Sequence, residues 1–292
     1  MSAGGSPRHL IALGTQRLIE AGVPSPEHDA RALLQHVLGT ERPLVMIDLV
    51  SEADGEAYFA LVARRMEREP LQFIVGEVTF RYSTLLVGHG AFIPRPETEI
   101  VTGVAIDAAR AVNGPARIVD LCTGSGAIAA AIADEVPTAQ VWGVELSEDA
   151  LRIAQTNLIH RHVALVHADA AVALPELDGT VDVVVSNPPY IPDGAVPRDR
   201  EVTRWDPPLA LYGGGPDGEV VPRAVAERAA GLLREGGVFV MEHGDVQGAA
   251  MRRLVAATGA FSGVVTGEDM TGRDRYVRAV RRPRDEDARL AP

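Results

Sequence analysis

Residues 117–134 read Arg-Ile-Val-Asp-Leu-Cys-Thr-Gly-Ser-Gly-Ala-Ile-Ala-Ala-Ala-Ile-Ala-Asp. Ile118–Leu121 is a short apolar strand, the glycines that follow it make a tight turn, and Ala127–Asp134 reads as a helix. The alternation continues downstream. Val141–Glu145 is a strand, and Glu148–His160 is a helix capped by Ser147. Val163–Ala168 and Val181–Ser186 are the third and fourth strands. A loop rich in Pro, Gly and Asp spans 187–217. The helix Val220–Arg234, the strand Val238–Glu242 and the helix Val246–Ala257 come next, and the β segments Phe261–Thr266 and Arg275–Val280 end the series. Strands alternating with helices predict an α/β, doubly wound sheet, parallel at its centre. The last two β segments have no helix between them, so they predict an antiparallel hairpin at the edge.

Upstream the pattern changes. Residues 98–112 read as a helix fed by the loop Phe92-Ile-Pro-Arg-Pro-Glu-Thr-Glu99. Val78–Tyr82 and Leu85–Val87 are rich in β-formers with Ser83-Thr84 between them, so 73–93 reads as a β-hairpin linker. Residues 1–72 are helical in period. His9–Ala21 is one helix. A second starts after Ser25 as N-cap with Pro26 at its first position and ends at Gly39. A third begins at Ser51, with Asp54 as capping partner, and runs to about Glu69. The expected division is a small all-α bundle at 1–72, the hairpin at 73–93, a catalytic domain at 94–281 and a flexible tail at 282–292.

Composition excludes several chemistries. The chain has 292 residues, and all 28 of its Lys+Arg positions are arginine. With no lysine there is no Schiff base and no complete Walker A loop. A net charge of −12 argues against a protein that wraps duplex nucleic acid, whose affinity comes largely from phosphate neutralisation. No run of 18 apolar residues predicts a membrane span, and Met1–Leu10 does not read as a signal peptide. Cys122 is the single cysteine, so no internal disulfide forms and a cytoplasmic protein is expected.

The turn Cys122-Thr123-Gly124-Ser125-Gly126 brings backbone close to a ligand and opens a helix whose first N–H groups are free. Glu145 ends the next strand, 21 residues after Gly124, where an acid accepts the two hydroxyls of a ribose. An adenosine cofactor is implied. The turn also fits the dinucleotide fingerprint, so NAD(P) stays open beside S-adenosylmethionine. Asp120 favours the latter, because a carboxylate there repels a pyrophosphate and attracts an ammonium.

Asn187-Pro188-Pro189-Tyr190 follows the fourth strand, at the end where doubly wound sheets bind ligands. A planar NH2 is a poor nucleophile because its lone pair is delocalised. The Asn187 side-chain oxygen and the Pro188 carbonyl can accept its two hydrogens and aim the lone pair at a methyl group. Both bonds strengthen as the nitrogen becomes positive, so the gain is larger in the transition state. The prolines fix the geometry, Pro189 brings no opposing N–H, and Tyr190 offers a flat face. No strong base is required.

Taken together, residues 92–99, 120–126 and Ser186-Asn-Pro-Pro-Tyr-Ile191 resemble the HemK/PrmC-type release-factor glutamine methyltransferases. Leu209–Gly214 with Asp217-Gly218, Arg273-Asp274-Arg275, and Asp29-Ala30-Arg31 through Gly39 extend the likeness over nearly the whole chain. Asn-Pro-Pro-Tyr alone is shared with adenine-N6 and other amino methyltransferases; the Pro-Arg-Pro-Glu-Thr-Glu segment with it is far more specific. The resemblance implies a seven-stranded class I methyltransferase (Rossmann-like) sheet behind a docking domain. It implies methyl transfer from S-adenosylmethionine, leaving S-adenosylhomocysteine, to the Gly-Gly-Gln glutamine of class I peptide-chain release factors. Neither a metal nor direct nucleic-acid binding is implied, and a monomer is expected. Asn187, Pro188 and Tyr190 would be catalytic, with Pro189 and Arg95 also binding substrate. Phe92, Thr98, Asp120, Cys122, Thr123, Gly124, Ser125, Gly126, Glu145, Leu146, Asp169, Ala170 and Asn187 would hold the cofactor. Ala170 stands where some relatives carry an aromatic residue. Two alternatives are a ribosomal-protein glutamine methyltransferase and a nucleic-acid amino methyltransferase that flips a base. A third is a non-catalytic scaffold.

Overall fold

In the computed structural model of the chain, residues 4–40, 43–197 and 199–283 are described; the expected tail falls mostly outside them. The chain divides into two compact units, 1–77 with 197–205, and 78–196 with 206–292.

The first unit is helical: α1 (Pro7–Glu20), α2 (Pro26–Leu38), α3 (Glu52–Met66) and α4 (Leu71–Val75). Ser6 Oγ caps α1 by accepting from the His9 amide, and Pro7 takes the first helical position. Ser51 Oγ accepts from the Asp54 amide and donates to its carboxylate, which fixes the start of α3. Ser25 makes no capping bond at α2, contrary to expectation; its backbone lies at φ −125°, ψ 60°, outside the usual cap geometry. Leu10, Leu18, Leu33, Leu34, Tyr58 and Val62 close the core.

The second unit begins with the hairpin β1 (Glu77–Phe80) and β2 (Ser83–Leu86). Its turn is Arg81-Tyr82, not Ser83-Thr84: Arg81 takes φ +52° and its guanidinium pairs with Glu135. The hairpin is thus part of this unit rather than a linker. Next come α5 (Pro96–Arg110), β3 (Arg117–Leu121), α6 (Ala127–Glu135), β4 (Gln140–Glu145), α7 (Glu148–Leu158), β5 (Val163–His167) and β6 (Val181–Ser186). The expected open loop contains α8 (Arg200–Trp205), which belongs to the first unit, and α9 (Pro208–Leu211). Then follow α10 (Val220–Leu232), β7 (Leu233–Glu242), α11 (Gly248–Ala257), β8 (Phe261–Glu268) and β9 (Asp274–Arg281).

The sheet order is β5-β4-β3-β6-β7-β9-β8. The strands from β5 to β7 are parallel, and β9 runs antiparallel to both β7 and β8. This is the seven-stranded doubly wound sheet with an antiparallel C-terminal edge. All six residues of β6 are buried, as a central strand covered on both faces requires. Reversal of strand order at β3/β6 makes a crevice at their carboxyl ends.

Candidate active site

The register Leu121↔Ser186 brings the ends of β3 and β6 side by side, and Ser186 Oγ donates to the Leu121 carbonyl at 2.6 Å. The next residues are Cys122 on one strand and Asn187 on the other. The glycine turn and the Asn-Pro-Pro-Tyr segment are therefore immediate neighbours, all within the second unit.

The turn is built by backbone. Thr123 N–H donates to the Val144 carbonyl, and Gly126 N–H to the Thr123 carbonyl. Gly124 (φ +59°) and Gly126 (φ +83°) are left-handed, and so is Cys122 at φ +63°, a conformation uncommon outside glycine. A Cβ on Gly124 would meet nothing within 4 Å, so the backbone there faces open space. Asn157 Nδ2 ties the Ser125 carbonyl at 2.9 Å. Burial holds the Cys122 thiol well above its usual range, so it is protonated and inert.

Asp120 is fully buried. Its Oδ2 accepts from Thr123 Oγ1 at 2.5 Å, whereas Oδ1 has no well-aligned donor among the described residues. Desolvation pushes the carboxyl up to about 7 against the opposing influence of the Thr123 hydroxyl and the Ala129 backbone N–H. A buried carboxyl oxygen with no well-aligned donor calls for a cationic partner, so this pocket suits the ammonium of an amino-acid moiety. Glu145 lies across the turn. Its Oε2 accepts from Gly124 N–H at 2.8 Å, and its Oε1 from the Leu146 and Ser147 amides at 2.9 and 2.8 Å. Of roughly four lone-pair sites on a carboxylate, three are thus taken. Glu145 was expected to accept the two hydroxyls of a ribose; three backbone N–H groups hold its carboxylate in place beside the turn. Leu146 is half exposed, its carbonyl beside His167 Nε2 at 2.9 Å. Asp169 accepts from the Ala171 amide at 2.9 Å, and Ala170 is buried. The free oxygen, the open glycine cradle and the neighbouring carboxylate fit S-adenosylmethionine.

The acceptor segment is clamped from two sides. Ile191 N–H donates to the Leu211 carbonyl, and Gly213 N–H to the Ile191 carbonyl. Gln247 Nε2 donates to the Tyr190 carbonyl at 2.9 Å. Burial raises the Tyr190 hydroxyl above its usual range, so the ring is neutral and apolar. Asn187 Nδ2 donates to Thr98 Oγ1 at 3.4 Å, which leaves Asn187 Oδ1 as the acceptor. Thr98, on the first turn of α5, stands beside Asn187. Arg95 Nη2 pairs with the buried Asp206 at 2.9 Å, and its guanidinium lies 5.0 Å from the centre of the Phe92 ring. Arg95, expected to bind substrate, is held in place by these two contacts.

Two glycines make the clamp possible. At Gly213 and Gly218 a Cβ would run into the carbonyl oxygens of Pro189 and Tyr190 respectively, and Gly218 also needs φ +72°. Gly218→Ala is expected to cost about 1–3 kcal/mol through overpacking. Thermal unfolding together with methylation assays checks this: an unchanged midpoint with full activity contradicts the clamp.

Sequence reading missed Glu242 and His243, buried at the end of β7. The available signal was an acid closing the otherwise apolar run Val238–Met241. A cleft of 530 Å3 lined by Asn113, Asp182, Arg234 and Arg278 opens at the amino ends of β6 and β7, away from these groups. Among the described residues no cluster of three or more His, Cys, Asp or Glu could hold a metal, and no helix is long and apolar enough to cross a membrane.

Comparison with known proteins agrees with this layout. The PrmC N-terminal domain model matches residues 9–76, and a methyltransferase domain model matches 118–198. Release factor glutamine methyltransferase of Bifidobacterium longum is 44% identical, over 93% of this chain and 98% of its own. That of Streptomyces coelicolor is 47% identical over 92% and 96%. The Mycolicibacterium smegmatis protein of the same name is 46% identical over 94% and 97%.

Proposed function

We propose, from the premise that the chain belongs to the release factor glutamine methyltransferase family, how its residues carry out that activity. The enzyme is an S-adenosylmethionine-dependent methyltransferase, and the acceptor is the side-chain amide of the Gly-Gly-Gln glutamine in class I peptide-chain release factors. The helical unit would dock that protein. The observation that carries the reading is the register joining Cys122 and Asn187: a cofactor turn and a two-acceptor amide site end adjacent strands.

When bound, S-adenosylmethionine supplies a methyl group on a positively charged sulfur. Asp120 Oδ1 would take the ammonium, and the 122–126 turn would lie along the cofactor. Asn187 Oδ1 and the Pro188 carbonyl would accept the two amide hydrogens, while Tyr190 stacks on the planar group. Positioning of this kind supplies roughly 7–11 kcal/mol. The net charge of −12 favours a protein acceptor over duplex nucleic acid.

Transfer of labelled methyl to purified release factor tests the reading; a folded, cofactor-binding enzyme that transfers nothing rules it out. Asp120→Asn keeps the shape and removes the charge. Losing one charge-assisted bond of roughly 1.5–3 kcal/mol should weaken cofactor binding by about 10–150-fold, as calorimetry can read. Ligand-free stability should move the other way. An acid whose folded pKa is raised to about 7 destabilises the fold progressively as pH climbs from the ordinary carboxylate range through 7. Asp120→Asn should therefore raise the unfolding midpoint at pH 8 and leave it nearly unchanged at pH 4.

A further inference from the structure

Glu242 has no role in the account above, yet the sheet register puts it at the acceptor site. Val185 pairs with Val240 and Ser186 with Met241; continuing one step sets Asn187 opposite Glu242. Val185 and Val240 are in the core packed with Val101 and Ala105 of α5. The two-residue period of a strand returns Asn187 and Glu242 to that same face, where Thr98 sits at the start of α5. Thr98 Oγ1 accepts from Asn187 Nδ2 at 3.4 Å, and its hydroxyl lies near enough to the Glu242 carboxyl to lower that group's pKa. Glu242 is 3% exposed, and among the described residues its Oε2 has no hydrogen-bond partner.

We propose that Glu242 is a positioning residue of the acceptor site: as a carboxylate it accepts a hydrogen bond from the Thr98 hydroxyl, so that the Thr98 oxygen faces Asn187 Nδ2 and Asn187 Oδ1 is turned toward the substrate amide. The inference rests on Asn187 being the amide acceptor. A carboxylate can only accept, so it fixes the polarity of the chain Asn187–Thr98–Glu242. A protonated carboxyl donates instead. The Thr98 hydrogen is then free to point at Asn187 and draw its oxygen away from the substrate.

The surrounding charges set where that reversal happens. Desolvation raises Glu242 and Glu97 raises it further, whereas the Thr98 bond and Arg275 lower it; the balance is about 7. Arg275 is itself held by Asp269 at 3.0 Å. Tyr190, across from Glu242, and His243, next to it on β7, are kept neutral by burial.

Two measurements test the proposal, and one needs neither cofactor nor substrate. In the ligand-free enzyme, the side-chain amide NMR signals of Asn187, assigned by their loss in Asn187→Ala, should shift with a midpoint near pH 7. In Glu242→Gln they should not shift. In the wild type, single-turnover methyl transfer should rise tenfold per pH unit below that midpoint. In Glu242→Gln it should be flat and about tenfold slower at pH 8, as loss of one oriented hydrogen bond implies. If Glu242→Gln does not fold, Thr98→Val should remove the same pH dependence. Asn187 signals that stay fixed between pH 6 and 8, or that titrate equally in Glu242→Gln, overturn the proposal. If the signals titrate as expected but the wild type methylates no glutamine, the functional reading fails and the relay stands.

Discussion

Asn187→Ala is expected to lower kcat for glutamine methylation by roughly 10²–10³, the cost of removing one preorganised polar group from a developing charge. The amide nitrogen of the substrate becomes positive as the methyl arrives, so the Asn187 oxygen matters more in the transition state than in the bound state. Cofactor affinity should stay within about twofold, and KM for release factor should move little, which is the signature of a group that acts late. The fold should also tolerate the change. Asn187 is only half buried, and among the described residues its one side-chain bond is to Thr98. Single-turnover rates beside calorimetry separate the two effects. Normal methylation by the variant removes Asn187 from the mechanism.

Arg65→Ala is expected to destabilise the helical unit by about 3–5 kcal/mol, because it strands buried carboxylates. Arg65 is 5% exposed in its side chain; its Nε meets Asp29 Oδ2 at 2.7 Å and its Nη1 meets Glu201 Oε1 at 2.6 Å. Nη1 also donates to the Glu69 carbonyl at 3.0 Å. Arg68 adds a second cation on Glu201 at 3.0 Å. Glu201 lies on α8, so this short helix is fastened to α3 within the helical unit. Hydrogen exchange read on α1 to α3 should show the loss. The double variant Arg65→Met, Asp29→Leu should recover part of it, since apolar replacement of a buried pair is often near neutral. Equal protection in Arg65→Ala and wild type contradicts the network.

The parts of the fold legible in sequence are those whose signal is local. The strands β3, β4 and β6 lie within a residue of their expected positions because each is a short apolar run bounded by polar or glycine residues. The hairpin turn slipped by two residues because nothing local marks Arg81 as left-handed; its ion pair with Glu135 is 54 residues away. The 187–217 loop concealed two short helices, since α8 has no buried residue and is held through Glu201 by distant arginines. The same reason hid the site's second layer. Asn187 and the glycine turn are motifs, whereas Glu242 acquires meaning only from its register with Asn187. Glu145 was readable as an acid at a strand end, but its three backbone donors depend on how the turn folds back on it.

The most direct test is tandem mass spectrometry of the Gly-Gly-Gln peptide from a class I release factor incubated with the enzyme and S-adenosylmethionine. The account predicts a gain of one methyl group, located on the glutamine side-chain amide, and none with Asn187→Ala over the same time. An unmodified glutamine, or a methyl group on another residue of the release factor, would contradict it.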